Sequence, residues 1–135
     1  MAVVVGYVPT AEGRAALRQA AQECRLRSTR LVVINSHRGG SGLDAPEAAW
    51  YEQELEDVRS GLEAEGLEHE VRQLVRGLDP AEDIIAVAEE VGADLIVIGL
   101  RRRSPVGKLI LGSNAQRILL DAPCPVLAVK AREEA

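Results

Sequence analysis

The amino-acid sequence predicts an α/β fold, a single-domain open parallel five-stranded sheet with helices on both faces. Short runs rich in valine, isoleucine and leucine alternate along the chain with longer segments whose apolar residues recur at helical spacing. Strands that are joined by helices form mostly parallel sheets covered on both faces. A chain of 135 residues without an internal repeat or a long linker is expected to fold as one domain, residues 1–135.

The first half of the chain supplies two strands and two helices. Residues 3–7 form a β-branched run, and residues 11–24 follow as a helix whose start Thr10 is placed to cap. Residues 31–34 are the second predicted strand. A loop rich in glycine then leads to a helix over residues 46–62, which opens on a proline, a residue that suits a first helical turn.

The second half supplies three strands and two helices. Residues 69–75 alternate polar and apolar side chains, as a half-exposed strand does. Asp79 is followed by proline and, three residues on, by glutamate, which predicts a helix that the Asp79 side chain caps. The remaining predicted elements are a buried strand over 95–98, a helix over 113–121 and a last strand over 126–129.

The apolarity of the strands predicts their order. The first and fourth strands are the most continuously apolar and should be central, whereas the third carries charge and should be an edge. With right-handed crossovers this gives the order 3-2-1-4-5. The direction of winding then reverses between strands one and four, and ligands of open α/β sheets bind beyond the carboxyl ends at such a point. The loops over residues 8–10 and 99–112 are therefore the predicted site.

Composition limits the classes of function. The net charge is −5 and aromatic residues make up 2% of the chain, which disfavours both a general DNA-binding surface and a stacking platform for single strands. Cys24 and Cys124 lie far apart with no histidine cluster, so we expect reduced thiols, no metal site and a cytoplasmic protein. The sequence also lacks a signal-peptide pattern and any apolar run near the ~20 residues of a membrane helix.

A basic segment stands out against this acidic background. Residues 99–113 carry Arg101, Arg102, Arg103 and Lys108 and no acidic residue. A glycine-punctuated basic loop between a strand and a helix start is typical of phosphate sites in α/β proteins. The alternative is a solvated loop tip, or a contact with the acidic surface of a partner.

The start of the last helix also has two interpretations. The run from Ser113 to Gln116 fits a capping box, in which the Ser113 hydroxyl bonds the Gln116 amide and the Gln116 side chain reaches back. In the functional interpretation, Gly112 lets a phosphate approach and the amides of Ser113 and Asn114 donate to it, assisted by the helix dipole.

Catalytic chemistry finds little support in the sequence. The two histidines, His37 and His69, fall in a predicted loop and on a predicted edge strand. They form no recognisable set with serine, cysteine or aspartate. A Walker loop is also absent, because Leu109 follows Gly107 and Lys108 where serine or threonine is required. No catalytic residue and no metal ligand is predicted.

Four segments together resemble the universal stress protein (UspA-type) family. The segment 99–113 resembles its signature, Gly-x2-Gly-x9-Gly-Ser/Thr before the last helix, with two of the three glycines present. The runs 91–99 and 122–127 and the opening strand with 12–17 extend the resemblance over nearly the whole chain. The resemblance implies a Rossmann-like fold of the adenine nucleotide alpha hydrolase-like kind, with strand order 3-2-1-4-5. It also implies homodimers, often joined through the last strand, and in one subgroup an ATP site at the switch point.

The family's phosphate positions transfer unevenly. Gly99, Gly112, Ser113 and Asn114 match positions that surround the phosphates in nucleotide-binding members, as the resemblance implies. Arg102 stands where the second signature glycine belongs. Its side chain occupies space where backbone normally meets phosphate, unless it swings out and pairs with the phosphate as a bidentate donor, a role we also expect for the neighbouring Arg101.

The resemblance places the adenosine at Gly6, Val8 and Ser36. Val8 stands where the family usually has an aspartate near the ribose, and valine cannot bond a ribose hydroxyl. The expected dimer edge is the last strand, whose residues are Val126, Leu127, Ala128 and Val129.

Three functions follow as hypotheses. The first is a cytoplasmic, dimeric stress-response domain that binds an adenine nucleotide such as ATP, or another phosphate ligand, without catalysis, with Mg²⁺ needed only for a triphosphate. The second is an interaction module that does not bind nucleotide, because Arg102 and Val8 alter the cleft. The third is a weak nucleotidase, which lacks an identifiable general base.

Overall fold

Strands and helices alternate along the whole chain in the computed structural model, which describes residues 1–37, 45–75, 79–100 and 111–131. The elements within these ranges are β1 (Ala2–Gly6), α1 (Ala11–Arg27), β2 (Arg30–His37), α2 (Ala45–Ala64), β3 (His69–Val75), α3 (Pro80–Val91), β4 (Ala93–Leu100), α4 (Ser113–Asp121) and β5 (Val126–Lys130). Every predicted element is present, and β2 and β4 extend several residues beyond their predicted ends.

The five strands form one parallel sheet in the order β3-β2-β1-β4-β5, which confirms the prediction. Val4 at the centre pairs with Val32 of β2 on one side and with Ile96 of β4 on the other. These three side chains are fully buried. The apolar strands are therefore central and the charged β3 is an edge, as burial of both sheet faces requires.

Helices cover the two faces of the sheet in pairs. Odd-numbered residues of β1, such as Val3 and Val5, pack with Ala16 and Ala20 of α1 and with Leu55 of α2. The even-numbered residues pack against α3 and α4 on the opposite face. That second core contains Val4, Ile34, Ile84, Ile96 and Ile118. The alternation of strand side chains thus builds two apolar layers around one sheet.

The helix starts differ in how their first amides are satisfied. Thr10 is the N-cap of α1, and its hydroxyl accepts from the Gly13 amide at 3.2 Å, as predicted. Asp79 also occupies an N-cap position, with Pro80 following, but its side chain makes no cap hydrogen bond. The prediction of a capping carboxylate at α3 is therefore wrong, although the helix begins where the sequence placed it.

Candidate functional site

A cavity of about 280 Å³ opens beyond the carboxyl ends of β1 and β4. It lies on the sheet face covered by α3 and α4, and the loop after β1 and the start of α4 close it on two sides. Strand order reverses between β1 and β4, so the cavity occupies the switch point. Its volume is at the lower end of ligand pockets, which suits a compact ligand such as a mononucleotide.

The cavity brings together seven residues that the sequence singled out. They come from four separate parts of the chain and are Gly6, Val8, Ser36, Gly99, Gly112, Ser113 and Asn114. Arg101 and Arg102, also predicted to bind phosphate, lie outside the described residues. The predicted dimer-edge residues 126–129 lie in β5, at the outer edge of the sheet.

The start of α4 forms one end of the cavity. Gly112 is the N-cap, and the first intrahelical bond runs from the Gln116 amide to the Gly112 carbonyl at 3.0 Å. The amides of Ser113, Asn114 and Ala115 precede that bond, so the helix itself gives them no acceptor. All three residues line the cavity. Donors and the positive end of a helix dipole therefore face this space, an arrangement that binds anions.

The predicted capping box at this helix is wrong. Its register assumed Ser113 as the cap, whereas Ser113 is the first helical residue and Gly112 makes no side-chain cap bond. The Gln116 side chain instead donates to the Leu111 carbonyl at 3.0 Å. The Ser113 hydroxyl therefore does not cap α4. It lies at the cavity, beside the first amides of the helix.

The opposite end of the cavity is apolar, with Ile34, Pro80, Ile84 and Ile98 in its wall. A Cβ added to Gly6 would lie 2.7 Å from the Ile84 Cδ1 atom, so Gly6 allows this isoleucine to pack against β1. Apolar side chains in the wall of a pocket suit an aromatic ring.

A polar pair interrupts this apolar end. The Ser36 hydroxyl donates to Oδ2 of Asp83, and only 1% of Asp83 is exposed. Oδ1 of Asp83 takes no hydrogen bond from any part of the chain that the structure describes. Sequence reasoning missed Asp83; its position three residues after Pro80 and four before the buried Val87 was the available signal.

The loop after β1 forms the third side. Val8 is 43% exposed, and its carbonyl accepts from the Thr10 amide at 2.8 Å. Asn35, which is buried, donates from Nδ2 to the Tyr7 carbonyl at 3.0 Å and so fixes the start of this loop. Glu12 in the first turn of α1 also lines the cavity and was not anticipated. It brings an acidic residue to the cavity, at which Val8 supplies none.

Tyr7 sends its ring away from the cavity, toward α1 and α2. The charges of Glu54 and Arg14, which pair with each other at 3.9 Å, both act on its phenol. Burial, followed by the Glu54 charge, raises the pKa of the Tyr7 phenol above its ordinary value of 10.0. The ring is part of the apolar core that α1 and α2 form on this face of the sheet.

The described ranges contain no group of three or more histidine, cysteine, aspartate or glutamate residues arranged to hold a metal ion. His69 lies on the edge strand β3, where its Nδ1 contacts the Leu67 carbonyl at 2.8 Å. His37 ends β2 and does not follow it as a loop residue, contrary to the prediction. No helix among the described residues is long and apolar enough to cross a membrane.

Comparison with known proteins gives one consistent result. A family model described as "Universal stress protein family" matches residues 1–130. The universal stress protein of Mycolicibacterium smegmatis is 45% identical over 128 residues, covering 95% of this chain and 96% of that protein. A universal stress protein structure from Archaeoglobus fulgidus superposes with a TM-score of 0.78 at 40% identity, covering 95% of this chain and 97% of the other.

A second structure from the same organism carries a ligand. It is described as the universal stress protein from Archaeoglobus fulgidus in complex with dAMP, and it superposes with a TM-score of 0.73 at 35% identity. The likeness covers 95% of this chain and 96% of that one. Since the family model matches residues 1–130 and a relative with 45% identity matches over 96% of its length, the chain belongs to the universal stress protein family.

Proposed function

We propose that this protein binds an adenine nucleotide, a monophosphate in the first instance, in the cavity at the carboxyl ends of β1 and β4. The observation that carries the proposal is the polarity of that cavity. Isoleucine and proline side chains at one end suit a base, and the first amides of α4 at the other end, which have no acceptor within the helix, suit a phosphate. A relative with 35% identity is described in complex with dAMP, a ligand of this class.

The proposed pose follows from the two ends. The phosphate lies against the amides of Ser113, Asn114 and Ala115, with the Ser113 hydroxyl as a further donor. The base lies between Ile34 and Ile84. The ribose then passes Val8 and Glu12, and Glu12 supplies the carboxylate that accepts from a ribose hydroxyl.

Several finer features belong to the same proposal. Arg101 and Arg102 are proposed as further phosphate ligands on the sequence pattern alone, and Mg²⁺ is required only if a triphosphate such as ATP binds. We propose binding without a reaction. The cytoplasmic location predicted from the sequence stays part of the proposal.

Calorimetry and thermal melts test this function directly. Titration with AMP, dAMP, cyclic AMP, ADP and ATP at low salt should give heat for at least one ligand, whereas UMP, the control, should give none. At 100 times its Kd, a ligand should raise the free energy of unfolding by ~2.7 kcal/mol, which a melt registers clearly. If none of the five ligands gives heat or stabilises the fold, the proposal is wrong. If the protein converts any of them to a product, the proposal of binding without a reaction is wrong.

A second candidate, an interaction module that binds no nucleotide, is favoured by one observation. Val8 lies at the cavity with no hydrogen-bonding side chain, where the family resemblance leads one to expect an aspartate. An Arg102→Gly variant separates the two functions. Gain of AMP binding would indicate that the natural arginine blocks the cavity, whereas loss of existing binding would identify it as a ligand to the phosphate.

We also propose a homodimer that forms through β5. This strand is at the outer edge of the sheet and pairs only with β4 among the described elements. Its Val126, Leu127 and Val129 are partly buried, whereas Ala128 is exposed. An unpaired apolar edge favours association with a second edge.

Sedimentation at micromolar concentration tests the dimer. Wild type should sediment as a dimer, and Ala128→Arg, which places a charge on the exposed side of the edge, should shift it to monomer. Ala49→Arg on the exposed surface of α2 is the matched control and should stay dimeric. A monomeric wild type would contradict the proposal.

A further inference from the structure

We infer that the Ser36–Asp83 pair makes the base end of the cavity selective for a ring that carries an exocyclic amino group. The inference rests on the proposed function and adds the determinant of base identity. Ser36 is the residue that meets the base, and Asp83 acts through it as a positioning residue.

The side chain of Ser36 is placed for this role by the pleat of β2. Ile34 and Ser36 point to the same face of the sheet, and both line the cavity. The Ser36 hydroxyl donates its hydrogen to Oδ2 of Asp83. A serine hydroxyl has a single hydrogen, so with that hydrogen committed it presents only lone pairs to the cavity. Ser36 is therefore an acceptor, and not a donor, toward a ligand.

Asp83 fixes the orientation of the Ser36 hydroxyl by accepting its hydrogen. It lies in the first turn of α3, between Pro80 and Ile84, which both line the cavity. Its amide is anchored to the Asp79 carbonyl at 3.2 Å, and the helix dipole stabilises a negative charge in this turn. The hydroxyl is the donor of this bond and Oδ2 of Asp83 is the acceptor, so the lone pairs of the hydroxyl point away from Asp83.

The hydrogen bond between Ser36 and Asp83 does not satisfy both oxygens of Asp83. Only 1% of Asp83 is exposed, and its Oδ1 atom has no donor within the described ranges. Unpartnered buried polar atoms are uncommon in native proteins and call for an explanation. A well-packed apolar side chain would fill the same place at lower cost to the fold. A role in recognition explains why a charged group stands there.

The acceptor has one complementary group on adenine. The 6-amino group is the only N–H donor of the adenine base, whereas hypoxanthine carries a carbonyl oxygen at that position. That oxygen would face the lone pairs of Ser36 with no hydrogen between them. A purine without a 6-substituent avoids the repulsion but forms no bond. Selectivity thus arises both from a hydrogen bond that AMP makes and from a repulsion that IMP meets.

The test compares AMP, IMP and purine riboside 5′-monophosphate by calorimetry on the full chain. On wild type, AMP should bind at least tenfold more tightly than either of the other two. Ser36→Ala removes the acceptor, and Asp83→Ala frees the hydroxyl to rotate; each should bring the AMP-to-IMP ratio within about threefold. Glu82→Ala removes a carboxylate from the same turn of α3 and should keep the wild-type ratio.

The outcomes separate this inference from the proposed function. If no nucleotide binds, the proposed function fails and the inference falls with it. If AMP binds but IMP binds equally well or better, the inference alone is overturned. The same holds if Ser36→Ala keeps the full preference for AMP. Should Asp83→Ala fail to fold in a circular dichroism melt, the wild-type ratios and Ser36→Ala still decide the matter.

Discussion

A Cβ atom on Gly99 would lie 2.4 Å from the backbone carbonyl oxygen of Glu12. Real side chains essentially never approach a backbone oxygen so closely, so only glycine at this position lets the first turn of α1 pack against β4. The first signature glycine therefore has a packing role within the fold. Gly112, the third, differs, because a Cβ there would meet no atom of the described residues within 4 Å.

These two glycines give a paired prediction. Gly99→Ala should lower the free energy of unfolding by about 2–3 kcal/mol, because backbone of α1 would have to shift to relieve the contact. Gly112→Ala should cost under about 1 kcal/mol, since Gly112 has an ordinary φ of −69° and open space around it. Urea unfolding without ligand measures both.

Gly112→Ala, the milder change for stability, should be the one that weakens nucleotide binding. An added methyl group at Gly112 would stand where the proposed phosphate approaches, so Gly112→Ala should weaken AMP binding at least fivefold in calorimetry. A Gly112→Ala variant that binds AMP like wild type would remove the phosphate from this end of the cavity. A Gly99→Ala variant as stable as wild type would contradict the packing role.

The fold was predictable because local signals agree with one another. The valine run of β1 and the apolar run of β4 predict central strands, and burial on both faces is what such runs require. The loops that converge at the switch point followed from strand order alone. The residue that caps each helix was harder to predict. Gly112 rather than Ser113 is the N-cap of α4, and a shift of one residue changes the position of every side chain in the first turn.

The position of the cavity was predictable from the sequence, but the acidic residues at and beside it were not. Gly6, Ser36 and Ser113 were expected at the switch point and line the cavity. Glu12 and Asp83 come from the first turns of α1 and α3. Their acidic side chains look like ordinary helix starts in a sequence, where carboxylates near an N-terminus are favourable in any case. Only the packing of these turns against the sheet shows that Glu12 faces the cavity and that Asp83 is buried beside it.

Thr10 gives a prediction about the start of α1. Its hydroxyl accepts from the Gly13 amide, so Thr10→Ala leaves that amide without its cap. We expect a loss of about 1 kcal/mol in the free energy of unfolding. Thr10→Ser keeps the hydroxyl and should stay within about 0.5 kcal/mol of wild type. Equal losses in the two variants, measured by chemical denaturation, would show that the methyl group rather than the cap matters.

Gly61 and Gly66 form a second matched pair. A Cβ atom added to either glycine would meet no atom within 4 Å, but Gly61 lies inside α2 whereas Gly66 has a φ of +68°. Gly61→Ala should raise the free energy of unfolding by about 0.5–1 kcal/mol, because alanine favours helix and restricts the unfolded chain. Gly66→Ala should lower it by about 1 kcal/mol, the cost of a left-handed conformation. Thermal melts that shift in the same direction for both would contradict the backbone argument.

Cys24 predicts how stability changes at alkaline pH. Only 1% of this residue is exposed, and burial raises the pKa of its thiol from 9.0 to about 11. Because the folded chain holds the proton more tightly than the unfolded chain, the stabilisation is complete below pH 9 and is lost as pH rises toward 11. Between pH 8 and pH 10 we expect a loss of about 1.3 kcal/mol from this group.

A Cys24→Ala variant isolates that contribution. It should be less stable than wild type at pH 8 by about 1 kcal/mol, because it leaves a small void between α1 and the sheet. Its stability should fall less steeply from pH 8 to pH 10, and the two curves should converge. Measuring below pH 10 keeps the Tyr7 phenol, whose pKa is raised above 10.0, largely out of the comparison. Parallel curves over this range would show that the Cys24 thiol does not contribute to the pH dependence of stability.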